Sequence, residues 1–153
     1  GCLSIKDNVG LTIYNKYLKY GFVLNHPAIN KVVDDSIKQL SIKTPSMQQQ
    51  IGNLSGGNQQ KVIVAKWLAN DPDILIMDEP TRGIDIGAKH EIYEIMESLA
   101  EQGKAIIMIS SEMAELIGMS DRIYVMSEGK LKGEITDRKE MTQEKIMGYA
   151  AQY

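Results

Sequence analysis

Apolar positions recur first at helical and then at strand spacing, and the change falls near Asn70. Ser4 stands where it can cap a first helix, and Ile29, Val32, Val33, Ile37 and Leu40 predict a second one following Pro27. Thr44-Pro45-Ser46, three consecutive glutamines and Gly52 make Lys43 to Asn53 a loop. A further helical stretch carries Val62, Ala65, Leu68 and Ala69 as its apolar stripe. Residues 1–70 therefore read as an α-helical part.

From residue 71 to 153 the rhythm is strand, helix, strand. Asp71-Pro72-Asp73 is a turn, and Ile74 to Met77 is a continuous apolar run that Pro80 keeps from extending, the pattern of a strand buried on both faces. A helix follows from Ile86 to Gln102, with Ile92, Ile95, Met96 and Leu99 on one stripe and Gly103 closing it. Ala105 to Ile109 is a second apolar run, Glu112 to Met119 a short helix and Arg122 to Met126 a third strand. Strands alternating with helices imply a parallel α/β sheet. Ser127-Glu128-Gly129-Lys130 then turns the chain into a hairpin with Leu131 to Ile135, and Thr142 starts a terminal helix.

Composition narrows the function. The 153 residues, 43% of them hydrophobic, suffice for one substantial core. Lys and Arg total 17 against 20 Asp and Glu, a net charge of -3, so no cationic surplus faces a nucleic-acid backbone and no nucleic-acid partner is expected. The longest aliphatic runs fall far short of the about 20 apolar residues that span a bilayer. Cys2, the one cysteine, has no internal partner and reads as a spare thiol in a reducing cytoplasm. There are no heptads, repeats or low-complexity tracts. The chain opens on Gly1 without an initiator Met, so a piece of a longer chain is expected.

Two constellations carry chemistry. Ile74-Leu75-Ile76-Met77-Asp78-Glu79 puts adjacent carboxylates at the carboxyl end of a strand, the edge at which open α/β sheets bind ligands. Alternation points them apart, so one can hold a metal while the other handles water; the alternative is a loop start that caps the next helix. Leu54-Ser55-Gly56-Gly57-Asn58-Gln59-Gln60-Lys61 precedes a helix, where glycine amides, the Ser55 hydroxyl and the helix dipole suit phosphate oxygens. The alternative is an ordinary glycine turn with Ser55 as N-cap.

Together these strings resemble the nucleotide-binding domain of ABC transporters: Leu54-Ser55-Gly56-Gly57 as the signature, Ile74 to Glu79 as Walker B and Thr81-Arg82-Gly83-Ile84-Asp85 as the D-loop. The wider match, with Ser110-Ser111-Glu112-Met113, is similar to the second half of double ATPase subunits that drive bacterial import of ribose, galactose or xylose. The resemblance implies a partial P-loop NTPase core with parallel strands beside an α-helical subdomain, bounded at 70/71. It implies ATP contacted by Ser55, Gly56, Gly57 and Gln59 and across an interface by Asp85, Mg²⁺ held through water by Asp78, and Glu79 as the catalytic base. The implied partners are membrane permease subunits received by the region from Cys2 to Asn53, an opposing ATP-binding domain, and indirectly an extracytoplasmic sugar-binding protein. The implied location is the cytoplasmic face of the bacterial membrane.

Two departures follow. No Gly-x-x-x-x-Gly-Lys-[Ser/Thr] is present, so the resemblance puts the phosphate loop and its strand upstream of Gly1, and the chain alone is expected to bind nucleotide very weakly and not hydrolyse it. Exposed strand edges left by that gap would invite a homodimer. At the switch position, where most ABC ATPases have histidine, Ser111 stands, which cannot carry positive charge; His26 and His90 read as solvated. DNA-repair and chromosome-organising ATPases share the signature and Walker B but flank them with coiled coils, which are absent here. Trp67 reads equally as core or as an interface anchor.

Overall fold

A computed structural model describes residues 3–151, which leaves the Cys2 expectation outside the described residues. The chain forms two compact units that meet in sequence between Met108 and Ile109. That division differs from the compositional change at Asn70, because the helices before it pack with the strand and helix after it.

The first unit opens with α1 (Ile5–Ile13), capped as its sequence predicts. The Ser4 hydroxyl accepts from the Asp7 amide at 3.1 Å, and the Ser4 amide donates back to the Asp7 carboxylate at 3.4 Å, the reciprocal pair of a capping box. Ile5, Val9 and Ile13, four residues apart, are fully buried on one stripe. A 3₁₀ turn (Tyr14–Tyr17) leads into a short antiparallel hairpin, β1 (Leu18–Lys19) and β2 (Val23–Leu24), which no periodicity announced. Then α2 (His26–Gln39) begins with Pro27 in its first turn and buries Ile29 and Val33. The loop that follows is pinned to the start of α1: the amides of Ile5 and Lys6 donate to the carbonyls of Gln49 and Met47 at 3.0 and 2.9 Å.

Helix α3 (Gly56–Leu68) lies against α1, where the Thr12 hydroxyl donates to the Lys66 carbonyl at 2.7 Å. β3 (Ile74–Asp78) pairs with β4 (Ala105–Ile109), and α4 (Ile86–Glu101) is the crossover between them, the connection of a parallel pair. Gly103, at φ +86°, ends the crossover helix. The expectation that Ile74 to Met77 is buried on both faces is corrected: Leu75 and Met77 are buried, whereas Ile74 and Ile76 are 60% and 69% exposed. A strand needs a layer on each side to hide both sets of side chains, and within the first unit the described residues supply one.

In the second unit, α5 (Met113–Met119) precedes β5 (Ile123–Ser127) and β6 (Lys130–Ile135), an antiparallel hairpin with a register shift between Val125 and Met126. Glu128 and Gly129, both at positive φ, form its turn where the sequence predicts one. The third strand of the expected parallel series therefore pairs antiparallel with its successor, because β5 and β6 form a sheet of their own. Helix α6 (Gln143–Ala150) starts at Thr142, whose hydroxyl accepts from the Lys145 amide at 3.3 Å. Ile123, Val125, Ile135, Met141 and Ile146 form the core of this unit. The ring of Tyr149 lies over Gly133, where a Cβ would come within 2.4 Å of it.

Candidate functional site

The serine-glycine turn is built by its own polar side chains. Ser55 takes the N-cap position of α3 with extended backbone, but its hydroxyl does not cap the helix amides. It accepts instead from Nδ2 of Asn58 at 2.8 Å, while Oδ1 of the same side chain accepts from the Lys43 amide at 2.8 Å. Asn58 is buried, so an amide with a donor and an acceptor on one side chain is what the position requires. The Nε2 of Gln59 donates to the Leu54 carbonyl at 2.8 Å and closes the turn.

The two glycines separate. Gly56 is exposed, and a Cβ there would touch only the Ile84 methyl at 3.4 Å and the Gly83 carbonyl at 3.8 Å. The turn therefore abuts the Gly83-Ile84-Asp85 segment directly. Gly57 is buried where α3 meets α4, and a Cβ would fall 2.5 Å from that of Ala88. Its glycine character is accounted for by close helix packing, whatever its amide contributes to an anion.

One turn along α3, Lys61 is only 3% exposed. Its Nζ pairs with the Glu91 carboxylate at 2.7 Å and donates to the Ser41 carbonyl at 3.2 Å. That ammonium, through its hydrogen bond above all, holds the Glu91 carboxyl below its ordinary value, with Lys43 adding to the effect. The pair ties α3 to α4 and to the end of α2, so the turn sits on a braced helix. A lysine within a polar string gave no sign of this burial.

At the end of β3, Asp78 is exposed and Glu79 half-buried, and Glu79 takes φ +47°. A left-handed glutamate is costly and uncommon, and it turns the chain away from the strand direction immediately after Asp78. Asp78 lines a groove of about 500 Å³ between α3 and β3 with Gln60, Ile63, Trp67, Ile74 and Ile76. Trp67 is thus no core residue. Asp85 is exposed and caps α4, its Oδ1 accepting from the Ala88 amide at 2.9 Å. The structure brings the signature turn and the Gly83–Asp85 segment together within the first unit.

Ser111 belongs to the second unit and is exposed. Its neighbour Ser110 makes a short hydrogen bond to the buried carboxylate of Glu115 and accepts from the Glu112 amide at 3.0 Å, fixing the entry to α5. This pair was not visible in sequence, since a glutamate on a short helix reads as solvated.

Residues 3–82 match the ABC transporter family. The chain belongs to the ABC transporter family. It is 56% identical over 99% of its length to the galactose/methyl galactoside import ATP-binding protein of Clostridium tetani, and 54% identical over 96% to the ribose import ATP-binding protein of Oceanobacillus iheyensis. It spans about 30% of the length of these curated relatives. Among solved structures, it resembles an ATP-binding cassette of an ABC transporter at TM-score 0.79 and 19% identity, covering 96% of this chain and 62% of that one. It also resembles the dimeric structure of a post-hydrolysis ATP-binding cassette bound to ADP and phosphate, at TM-score 0.72 and 25% identity, over 88% of this chain and 56% of that one. The α/β ABC fold expected from the motifs is confirmed, and in this ABC chain the serine-glycine turn abuts the Gly83–Ile84 segment.

No group of three or more His, Cys, Asp or Glu among the described residues could hold a metal. Asp78, a single exposed carboxylate, fits the habit of Mg²⁺ in nucleotide sites, where the protein gives one or two carboxylates and phosphates and water complete the shell. None of the described helices is long and apolar enough to cross a membrane.

Proposed function

We propose that this chain is part of an ATP-binding subunit that energises ABC-type import of a simple sugar, with residues 1–70 as the signature-bearing helical part and 71–153 as part of the nucleotide-binding core. The single observation that carries the reading is the serine-glycine turn: Ser55 and Gly56 are exposed at the start of α3, and the Ser55 hydroxyl is kept off the helix amides by Asn58. Such a turn offers amides, a hydroxyl and a helix dipole to the phosphates of a nucleotide held by an opposing ATP-binding domain.

When bound, ATP supplies the phosphoanhydride whose hydrolysis drives import. The chain's own residues then have separable tasks. Asp78 would hold Mg²⁺, which would supply charge neutralisation at the phosphates, Glu79 would take a proton from the attacking water, and Ser55 and Gly56 would donate to phosphate oxygens from across the interface. Asp85, fixed as the cap of α4 beside the turn, reports across that interface. Ser111 holds the switch position without an imidazole, which makes this half the weaker site. Partners in this reading are membrane permease subunits, reached through residues 2–53, and indirectly an extracytoplasmic sugar-binding protein. The location is peripheral, at the cytoplasmic face of the bacterial membrane. The 153 residues alone, with no phosphate-loop sequence, are inactive.

The test is Gly56→Asp in the longer protein. The packing at Gly56 admits a side chain, so the variant folds, while the carboxylate repels phosphate. ATP-driven sugar uptake in vesicles should fall on the order of a hundredfold, as for loss of one oxyanion donor. Unchanged uptake and hydrolysis would defeat the proposal. Gly57 is the poorer probe, because any side chain there collides with Ala88.

A further inference from the structure

The backbone behind the serine-glycine turn, from Ser41 to Lys43, is fixed from two sides. Ser41 takes φ +49°, and the amide of buried Ile42 donates to the Ile37 carbonyl at 2.9 Å. Two side chains of α3, three residues apart and so on one face, reach the same segment: Lys61 Nζ donates to the Ser41 carbonyl at 3.2 Å, and Asn58 Oδ1 accepts from the Lys43 amide at 2.8 Å. The Lys43 amide therefore stands at a set place and offers a proton there.

That proton fixes the direction of each hydrogen bond up to the exposed serine. A backbone N–H can only donate, so the atom of Asn58 that faces it is the carbonyl oxygen, and the atom that faces Ser55 is the amino nitrogen. The amino nitrogen also only donates, so Ser55 Oγ accepts from it at 2.8 Å. A hydroxyl carries a single proton, and that of Ser55 is spent neither on Asn58 nor on any other side-chain hydrogen bond among the described residues. Asn58 is 9% exposed and satisfied at both ends, so it has no cheap way to turn round.

We propose that Asn58 is a positioning residue for the signature serine: by donating to Oγ, it leaves the Ser55 hydroxyl to donate out of the turn to a phosphate oxygen. This rests on the nucleotide reading of the turn and adds to it the polarity of the serine and the residue that sets it. Ionised phosphate oxygens are acceptors, so a serine held in the opposite polarity would present them with lone pairs alone.

Asn58→Asp is the sharpest test, because it exchanges a donor for an acceptor at constant shape. One carboxylate oxygen still accepts from the Lys43 amide and the other takes the Ser55 proton, so the turn keeps its fold while the serine is reversed. In the longer protein, ATP hydrolysis should fall on the order of a hundredfold for Asn58→Asp and for Ser55→Ala alike, as for loss of one oxyanion donor. The double variant should be no more than about threefold worse than either, since both act on one hydroxyl. Additive losses would assign the effect to repulsion by the new carboxylate and overturn the proposal. An active Asn58→Asp beside an inactive Ser55→Ala would overturn it too and leave the nucleotide reading standing, whereas an active Ser55→Ala would remove that reading and this inference with it. A second measurement needs no nucleotide. In heteronuclear NMR spectra of the 153-residue chain, one Asn58 carboxamide proton should be shifted downfield and slow to exchange, and Ser55→Ala should return it to the ordinary side-chain range while the Lys43 amide stays in place. A carboxamide that ignores Ser55→Ala does not donate to the serine, and the proposal falls.

Discussion

The helices and the sheet of the first unit are equally apolar in sequence and end in different states. Ile5, Val9, Ile13, Ile29, Val33, Val62 and Ala65 are completely covered, all by neighbours within the chain. Ile74, Ile76 and Ile107, on strands of comparable hydrophobicity, remain largely in water. An amphipathic helix is satisfied by one neighbour along its stripe, whereas a strand of a parallel sheet needs a layer on either side. The helical part closes its own core, and the sheet has closed one side of its core only.

Truncation on the two sides of that contrast should give the largest difference. Ile29→Ala removes a fully buried side chain and should cost about 2–5 kcal/mol of unfolding free energy. Ile76→Ala should cost less than about 0.5 kcal/mol. Urea unfolding of the two variants is the measurement, and equal losses would show that the bare sheet face is covered in solution.

A smaller difference is expected inside the signature turn. Gly57→Ala drives a methyl into Ala88 and should cost about 1–3 kcal/mol, whereas Gly56→Ala should be close to neutral. Adding Ala88→Gly to Gly57→Ala should recover part of the loss despite the helix penalty of a new glycine, about 1 kcal/mol. Absence of coupling between the two substitutions would remove packing as the reason for Gly57 and return it to phosphate binding alone.

What could be read from the sequence was local. Ser4 before α1, Thr142 before α6, and Ser127 to Lys130 between two strands each announce a cap or a turn through residues next to one another, and each is found as expected. Ser55-Gly56 and Asp78-Glu79 stand out in the sequence as short strings too, and their chemistry belongs to the proposed function. What could not be read depends on pairs distant in the chain. Gly57 needs Ala88, and Lys61 is buried only because Glu91 on another helix receives it. The exposed faces of Ile74 and Ile76 escaped because hydrophobicity reports what a side chain tolerates, not what covers it. The β1–β2 hairpin escaped because strands of two residues are too short to show alternation.

The Lys61–Glu91 pair sharpens the contrast from the electrostatic side, with the smallest effect. The Lys61 ammonium keeps the Glu91 carboxyl below its ordinary value of 4.5, so in mildly acidic solution the folded chain binds fewer protons at this group than the unfolded chain does. The resulting stabilisation is complete above the ordinary value and disappears as the pH falls through the lowered one. Glu91 is 36% exposed, so screening limits the gain to about 1 kcal/mol. Glu91→Gln should therefore unfold more readily than the unaltered chain at neutral pH, and the gap should close steadily below about pH 4. Ile76→Ala, with no titrating partner, should show a pH-independent offset. If the Glu91→Gln curve ran parallel to that of the unaltered chain through the acid range, the brace beneath the signature helix would owe nothing to charge, and the Ser41 carbonyl with the packed stem of Lys61 would have to hold it alone.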